Sequence, residues 1–263
     1  MKKYLVIGNP IDHSLSPELH NHWIKKNGLD AIYEKKKLSN NDLENLILDI
    51  KKGNISGVNV TVPFKNAIIP YLDDLSSEAK KTHSVNTIHL SDKKIIGHNT
   101  DIEGFENAIQ NINFDFKKKK ILILGAGGVV PSIIYASIKM GSSEIMISNR
   151  TEKNAEKVKN IFNNIKLVNW GETPDFDVII NATSLGLKKD DKIDLDFTKV
   201  GKNKLFYDVI YNPRETNFLS LGKKLGNKYE NGKLMFIYQA SLAFKLWHGI
   251  EPSINNETMK LID

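Results

Sequence analysis

The chain has 263 residues, no cysteine and a formal net charge of +6, which allows one large domain or two smaller ones and excludes disulfides and thiolate chemistry. The positive charge is nearly all lysine, without the interleaved aromatic residues of a nucleic-acid-binding surface. No apolar run approaches the ~18 residues of a membrane span, so we expect a soluble, cytoplasmic protein that binds neither nucleic acid nor membrane.

The first hundred residues predict alternating strands and helices. Apolar alternation between turn residues predicts strands at residues 4–7, 31–35, 58–62, 85–90 and 94–97, the last two as a hairpin. Helices are predicted at residues 16–26, with Ser16 as N-cap, and at residues 39–52, with Ser39 as N-cap. This alternation of strands and helices predicts an α/β domain for the first half of the chain.

The second half has a more regular pattern. The segments "KKKKILILGAGG", "SEIMISNR", "FDVIINATS" and "KLFYDVIYNP" each contain an apolar strand, and "NKYENG" is predicted to be the last strand. Apolar strands separated by helices are typical of a parallel sheet that is covered on both faces. The apolar segment "LMFIYQASLAFKLWHG" predicts a closing helix. The predicted fold class is α/β with two domains, divided near residues 100–104.

The segment "VNVTVPFK" at residues 58–65 alternates apolar and polar side chains. Period-two alternation predicts a strand whose apolar side faces the core, with Asn59, Thr61 and Lys65 on the other side. Pro63 cannot donate to a strand ladder, so Lys65 is expected where the strand gives way to a loop. The polar side is explained either by solvent or by a functional site.

The segment "GAGGVV" at residues 125–130 lies between a predicted strand and a predicted helix. In that context Gly125 permits a tight turn, and Gly127 lets backbone amides approach a pyrophosphate at the helix N-terminus. Val130 replaces the third small residue of the fingerprint, which implies looser packing of helix on strand. A glycine-rich turn without a ligand is the alternative.

The second strand of this half ends in "SNRT", without the carboxylate that an NAD site uses. Asn149, Arg150 and Thr151 stand instead where the ribose 2′ position would lie. The chain has only two arginines, Arg150 and Arg214, and arginine offers the bidentate fork that suits a 2′-phosphate. The segment predicts NADP as cofactor. The alternative is that Thr151 caps the next helix and Arg150 is a surface residue.

Taken together, the chain resembles the shikimate dehydrogenase family over nearly its whole length. The likeness rests on the ordered segments "GNPIDHSLSPELHN", "GVNVTVPFK", "VNT", "NTDIEGF", "ILILGAGG", "SNRT", "INATSLG", "YDVIYNP" with "ET", and "NGKLMFIYQA". The resemblance implies NADPH-dependent reduction of 3-dehydroshikimate to shikimate, a step of chorismate and aromatic amino-acid biosynthesis. It also implies a substrate domain, residues 1–101 with 239–263, and a Rossmann-type NADP domain, residues 102–238.

The resemblance assigns roles to individual residues. Lys65 and Asp101 correspond to the catalytic pair, and the substrate contacts correspond to those two residues with Ser14, Ser16, Asn59, Thr61, Asn86, Tyr211 and Gln239. The cofactor contacts correspond to Gly125, Ala126, Gly127, Gly128, Val129, Asn149, Arg150, Thr151, Ala182, Thr183, Ser184, Val209, Gly232 and Met235. No metal site is predicted, and the expected assembly is a monomer or a homodimer.

Several of these residues also have a purely structural explanation. Ser16 is as well explained by capping a helix as by binding a substrate anion. Thr100 and Glu103 have the spacing of a capping box, and Asp101 favours the dipole of the same helix. Met235 lies in an apolar helix, where a methionine is more often part of the core.

The chain departs from the family pattern at two places. His83 and Ser84 stand before "VNT", where the family usually has glycine and alanine. Val130 and Pro131 follow the glycine loop in place of small and basic residues. Neither change removes a predicted catalytic group.

Three other functions compete with this interpretation. The nearest is an NAD-linked quinate/shikimate dehydrogenase, against which "SNRT" argues. A second is a Rossmann-type binding protein without catalysis, against which the presence of both Lys65 and Asp101 argues. A third is a basic nucleic-acid-binding protein, which steeply salt-dependent DNA binding without NADPH turnover would support.

Overall fold

The computed structural model describes residues 1–262 and divides into two compact units. One unit comprises Met1–Gly104 with Ile237–Asp263, and the other comprises Phe105–Phe236. The domain limits expected from the sequence lie at residues 101 and 238, against 104 and 236 for the two units.

Strands and helices alternate along most of the chain. The strands are β1 (Lys2–Gly8), β2 (Ala31–Lys37), β3 (Gly57–Val60), β4 (Asp74–Leu75), β5 (Thr87–Ser91), β6 (Lys94–His98), β7 (Lys120–Leu124), β8 (Glu144–Ser148), β9 (Lys166–Val168), β10 (Val178–Asn181), β11 (Leu205–Asp208) and β12 (Lys228–Glu230). The helices are α1 (Ser16–Lys26), α2 (Leu43–Lys51), α3 (Phe64–Ala67), α4 (Ser77–Thr82), α5 (Asp101–Asn111), α6 (Val130–Lys139), α7 (Glu152–Ile161), α8 (Asn217–Lys224), α9 (Lys233–His248) and α10 (Asn256–Lys260). Short 3₁₀ turns lie at Asn40–Asp42 and Ile69–Tyr71.

The first unit contains a mixed sheet in the order β2-β1-β3-β5-β6-β4. Strand β1 is parallel to β2 and β3, whereas β5 is antiparallel to β3 and β6. The predicted hairpin is therefore confirmed. The buried side chains of α2 pack in the core with side chains from β1 and β3; the helix contributes Leu43, Leu46, Ile47 and Ile50, and the strands contribute Leu5, Ile7, Val58 and Val60.

The second unit contains an all-parallel sheet in the order β12-β11-β10-β7-β8-β9. Its central strands are buried on both faces, which explains their unbroken apolar sequences. The strand order reverses between β7 and β10, and the crevice beyond the carboxyl ends of strands at such a point is where open α/β sheets bind ligands. The predicted Rossmann-type sheet is confirmed.

The strand predicted at residues 58–62 is shorter than expected. Strand β3 ends at Val60, the Val62 side chain is 54% exposed, and Phe64 and Lys65 belong to helix α3. The alternation therefore does not continue to Lys65 as a strand pattern. A turn at residues 61–63 ends the alternation of buried and exposed side chains. After that turn, Phe64 and Lys65 are both buried.

The N-cap predicted for α1 is wrong. Ser16 is the first helical residue, and the cap position is occupied by Leu15 without a capping side-chain hydrogen bond. Ser39 does form the predicted kind of cap, in a capping box with Asp42. The sequence analysis missed the elements β4, β9, α3, α4, α8 and α10, and all of these except α8 are too brief to show a clear period.

Across residues 1–262, no helix combines the length and the apolar character needed to cross a membrane.

Candidate active site

Lys65 and Asp101 form a buried ion pair in the first unit. The Lys65 Nζ donates to Asp101 Oδ2 across 2.5 Å, and the two side chains are 9% and 7% exposed. Lys65 lies on α3, where its neighbour Phe64 anchors the helix in the core. Asp101 is the first residue of α5, where the helix dipole favours a negative charge. The pair is therefore an ammonium and a carboxylate held in contact away from bulk water.

Asn86 connects this ion pair to two further polar groups. Its Nδ2 lies 3.0 Å from Asp101 Oδ1, 2.9 Å from Thr100 Oγ1 and 3.2 Å from Gln239 Oε1. Its Oδ1 accepts from the backbone N–H of Thr100 at 2.8 Å. Two amide hydrogens are thus shared among three acceptors, which leaves room for exchange of partners. The predicted residues Lys65, Asn86, Asp101 and Gln239 are brought together.

Gly104 is a residue that the sequence analysis did not single out. A Cβ at this position would lie 2.8 Å from the Cβ of Gln239, so only glycine allows α5 and α9 to approach this closely. A glycine inside a helix costs about 1 kcal/mol relative to alanine, which is a sequence signal for such an approach. Gly104 therefore sets the position of Gln239.

Asn59 is held in place by Tyr33, a second residue that the sequence analysis missed. The Tyr33 hydroxyl donates to Asn59 Oδ1 at 2.7 Å, and Asn59 Nδ2 donates to the Asn86 carbonyl and to Thr87 Oγ1. Burial raises the pKa of Tyr33 well above its usual range, while a hydrogen bond with Ser16 lowers it. Tyr33 and Asn59 lie on β2 and β3, on either side of β1, so no local sequence signal joins them.

The two serines of "SLSP" are in contact. Ser14 Oγ donates to Ser16 Oγ at 3.2 Å and accepts from the Ser16 backbone N–H at 3.3 Å. Ser14 therefore satisfies a backbone donor at the start of α1, although the cap position itself is Leu15. Thr61 is partly exposed just beyond β3, and its backbone N–H donates to the Ile7 carbonyl.

The His83–Ser84 departure has a local structural explanation. His83 adopts φ +47°, a left-handed conformation that favours glycine. Ser84 is fully buried, and its carbonyl accepts from Asn99 Nδ2 at 3.1 Å. Asn99 Oδ1 accepts in turn from the Asp101 backbone N–H at 3.1 Å. The segment before "VNT" therefore supports the residue next to the ion pair.

The glycine loop of the second unit has the geometry of a ligand cradle. Gly125 has φ +109°, and a Cβ there would lie 2.7 Å from the Ala182 carbonyl oxygen. A Cβ at Gly127 would meet nothing within 4 Å, and Gly127 is exposed. The N-terminus of α6 follows, at Val130, which is fully buried. Tight packing behind the loop and open space before it are compatible with a pyrophosphate.

Asn149, Arg150 and Thr151 follow β8 as predicted. Arg150 is exposed, and among residues 1–262 no carboxylate forms an ion pair with its guanidinium. Asn149 Nδ2 donates to the Thr151 carbonyl at 2.7 Å. Thr151 occupies the N-cap position of α7 without a capping side-chain hydrogen bond. The guanidinium is therefore available to an anion.

The remaining predicted cofactor residues form two groups in the second unit. Ala182 and Thr183 follow β10, where the Thr183 hydroxyl donates to Asn181 Oδ1 at 2.7 Å. Val209 follows β11, and a Cβ at Gly232 would lie 2.1 Å from its carbonyl oxygen. Ser184 is exposed.

Tyr211 and Met235 complete the predicted set in this unit. Tyr211 stacks on Phe236, with ring centroids 4.5 Å apart. Met235 is 5% exposed. That degree of burial is equally compatible with a core residue.

Comparison with known proteins identifies the family. Residues 6–88 match the model described as shikimate dehydrogenase substrate binding domain, and residues 106–217 match the model described as shikimate / quinate 5-dehydrogenase. A curated relative from Pelagibacter ubique, shikimate dehydrogenase (NADP(+)), is 56% identical over 262 residues, which cover 100% of this chain and 99% of the relative. The chain belongs to the shikimate dehydrogenase family. The predicted family and enzyme class are confirmed.

Solved structures agree with this assignment. A shikimate dehydrogenase in complex with NADP⁺ is 36% identical with a TM-score of 0.91, and the match covers 100% of this chain and 94% of that chain. A shikimate 5-dehydrogenase from Listeria monocytogenes, in complex with shikimate and NAD, is 30% identical with a TM-score of 0.88. That match covers 100% of this chain and 96% of the other.

Proposed function

We propose that this protein is an NADP-dependent shikimate dehydrogenase, which reversibly reduces 3-dehydroshikimate to shikimate in aromatic amino-acid biosynthesis. The observation that carries the proposal is the buried Lys65–Asp101 ion pair with Asn86 and Gln239 around it. The names of the relatives support the same activity and the same cofactor. The predicted cytoplasmic location and the predicted monomer or homodimer stay predictions.

The residues of the second unit fit the predicted cofactor. Gly127 offers open space beside the backbone amides that precede α6, and Arg150 offers an exposed guanidinium at the end of β8. NADPH, when bound, supplies the hydride for the carbonyl carbon. Gly125 to Val129 would hold the pyrophosphate, and Arg150 with Asn149 and Thr151 would hold the 2′-phosphate.

Lys65 is the proposed proton donor. Reduction of a carbonyl creates negative charge on its oxygen, and an ammonium next to that oxygen stabilises the charge and delivers a proton. Asp101 accepts from Lys65 Nζ through Oδ2, while Asn86 holds its Oδ1. Asp101 would thereby orient the ammonium, which would regain a proton from solvent after each reduction, whereas in the reverse reaction the neutral Lys65 amine would take the proton of the substrate hydroxyl.

The other polar groups of the first unit are proposed to bind the substrate. Ser14 and Ser16 would hold its carboxylate beside the start of α1, where the helix dipole favours an anion. Asn59, Thr61, Asn86 and Gln239 would contact its hydroxyls or carboxylate.

Absorbance at 340 nm tests the proposal directly. The purified protein should reduce NADP when shikimate is added, more slowly reduce NAD, and more slowly oxidise quinate. The NAD arm is needed because a relative has been solved with shikimate and NAD. Faster turnover with NAD than with NADP would favour the alternative cofactor, and absence of turnover with all four combinations would refute the proposed activity.

A further inference from the structure

Asp208, the last residue of β11, is a buried carboxylate that the proposed chemistry does not use. It is completely buried, and it accepts three hydrogen bonds from neutral groups. Its Oδ1 accepts from Asn181 Nδ2 at 3.1 Å and from the Ile210 backbone N–H at 3.0 Å, and its Oδ2 accepts from the Thr216 hydroxyl at 2.7 Å. Burying a carboxylate costs desolvation free energy, so packing alone does not explain an aspartate at this position.

The first partner of Asp208 determines the shape of residues 182–186. Asn181 is paired with Asp208 in the sheet, at the carboxyl end of β10. The same Asn181 Nδ2 that binds Asp208 also donates to the Leu185 carbonyl at 2.9 Å, and Asn181 Oδ1 accepts from the backbone and the hydroxyl of Thr183. The orientation of one amide therefore fixes the whole turn.

The second and third partners fix residues 209–216. The Ile210 contact turns the backbone immediately after β11, next to Val209. Thr216 is the N-cap of α8, where its hydroxyl oxygen accepts from the Leu219 N–H at 3.3 Å. Because the same hydroxyl donates to Asp208, the cap is tied to the end of β11.

The two loops also touch each other and the rest of the predicted cofactor site. A Cβ at Gly186 would lie 3.0 Å from Thr216 Cγ2. The Ala182 carbonyl packs against Gly125, and the Val209 carbonyl packs against Gly232. One carboxylate thus links the glycine loop, residues 182–186 and residues 209–216 of the second unit.

We propose that Asp208 is a positioning residue for the dinucleotide cofactor, and that Thr216 and Asn181 transmit its effect to both loops. The proposal rests on the proposed function, because it assigns the two loops to NADP. Asp208 acts through the loops, so it is expected to change cofactor affinity more than substrate affinity.

The test measures NADP and shikimate dissociation constants separately, by fluorescence or calorimetric titration, for the wild-type protein and two variants. Asp208→Ala should raise the Kd for NADP about 10- to 100-fold, and Thr216→Val about 3- to 10-fold, by loss of one or more hydrogen bonds to a charged group. The Kd for shikimate should change less than the Kd for NADP, because residues 209–216 contain a single predicted substrate contact, Tyr211.

Two further variants make the test specific. Thr216→Ser keeps the hydroxyl and should restore NADP affinity. Asp196→Ala is the matched control, because Asp196 also accepts from a threonine hydroxyl in the same unit, that of Thr198 at 2.6 Å, but on the surface. Asp196→Ala should leave the Kd for NADP unchanged.

Hydrogen exchange supplies a second readout that needs no cofactor. Thr216→Val should speed amide exchange in residues 182–186, which are remote from it in sequence. If Asp208→Ala fails to fold, Thr216→Val and Thr216→Ser decide alone. Folded variants with lower melting temperatures but wild-type NADP affinity would overturn the positioning role, whereas a wild-type protein that does not bind NADP would refute the proposed function as well.

Discussion

The two units build their predicted sites by different means. In the first unit, the site consists of side chains that are hydrogen-bonded to one another. They form one network, whose members are Lys65, Asp101, Asn86 and Gln239. In the second unit, the glycine loop offers backbone and open space at Gly127, and its predicted selective side chain, Arg150, is exposed. The comparison teaches that the first site is organised before its ligand binds, while the second depends on the shape of loops. Substitutions in the first unit should therefore change kcat or the KM for shikimate, whereas substitutions in the second unit should change NADP affinity.

The largest effect is expected at Lys65. Lys65→Ala should lower kcat by about 10²- to 10⁴-fold, because a general acid is lost, with a smaller change in KM for shikimate. Lys65→Arg should not restore kcat, because a guanidinium keeps the charge but does not release a proton at accessible pH. Steady-state rates at 340 nm measure both.

The matched control is Lys80→Ala, which breaks the exposed Lys80–Asp74 ion pair of the same unit. Circular dichroism must accompany these rates, since removal of one partner of a buried pair destabilises a protein by about 3–5 kcal/mol. A folded Lys65→Ala protein with near-normal kcat would refute the acid role.

The next largest effect concerns the exposed arginine of the second unit. Arg150→Ala should weaken NADP binding by about 10- to 150-fold, the range for loss of a charge-assisted contact, and should hardly change NAD binding. Arg214→Ala, which removes the other arginine of the chain, should change neither. Equal losses for NADP and NAD in Arg150→Ala would show that this side chain does not distinguish the 2′-phosphate.

A moderate effect is expected for the two serines of the first unit. The double variant Ser14→Ala with Ser16→Ala should raise KM for shikimate by about tenfold, because hydrogen bonds to a carboxylate are lost, and should leave NADP affinity unchanged. Ser39→Ala is the control, because Ser39 forms a capping box with Asp42 at the surface. Should the double variant lose thermal stability and keep KM, the serines have a structural role only.

The last expected effect concerns pH, because the stability of the two units should depend on pH in opposite directions. Burial, and secondly the neighbouring His248, lower the pKa of His20 in the first unit to about 3. The unfolded state then binds more protons below pH ~6.5, so stability is lost as the pH falls from there towards 3. In the second unit, burial raises the pKa of Asp208 from 3.8 to about 6. The folded state then binds more protons, so stability is lost as the pH rises from about 4 through 6.

His20→Phe should make the melting temperature depend less on pH on the acid side. Phenylalanine keeps the stacking on Tyr33, whose ring centroid lies 4.2 Å from that of His20, and it removes the group that must be protonated in acid. The drop in melting temperature between pH 6.5 and 4.5 should shrink, at roughly 2–4 °C for each kcal/mol regained. His13→Phe, at an exposed position, is the control. Parallel profiles for wild type and His20→Phe would contradict this account.

The sequence by itself determined the α/β class, the parallel sheet, the glycine loop and the family, because each has a local signature. Continuous apolar strands such as β7 show burial on both faces, and "GAGG" between a strand and a helix shows where backbone must approach a ligand. The motifs also placed Lys65 and Asp101 in the predicted site, through their order along the chain.

Only the tertiary structure decided how those residues meet. Lys65 reaches Asp101 because the chain turns after Val60 and forms α3, which the alternation of "VNVTVPFK" did not reveal. Tyr33 binds Asn59 across the sheet, and Asp208 joins two loops through Thr216. Such contacts depend on strand order and close packing between residues distant in sequence, and hydrophobic period and local propensity carry no information about them.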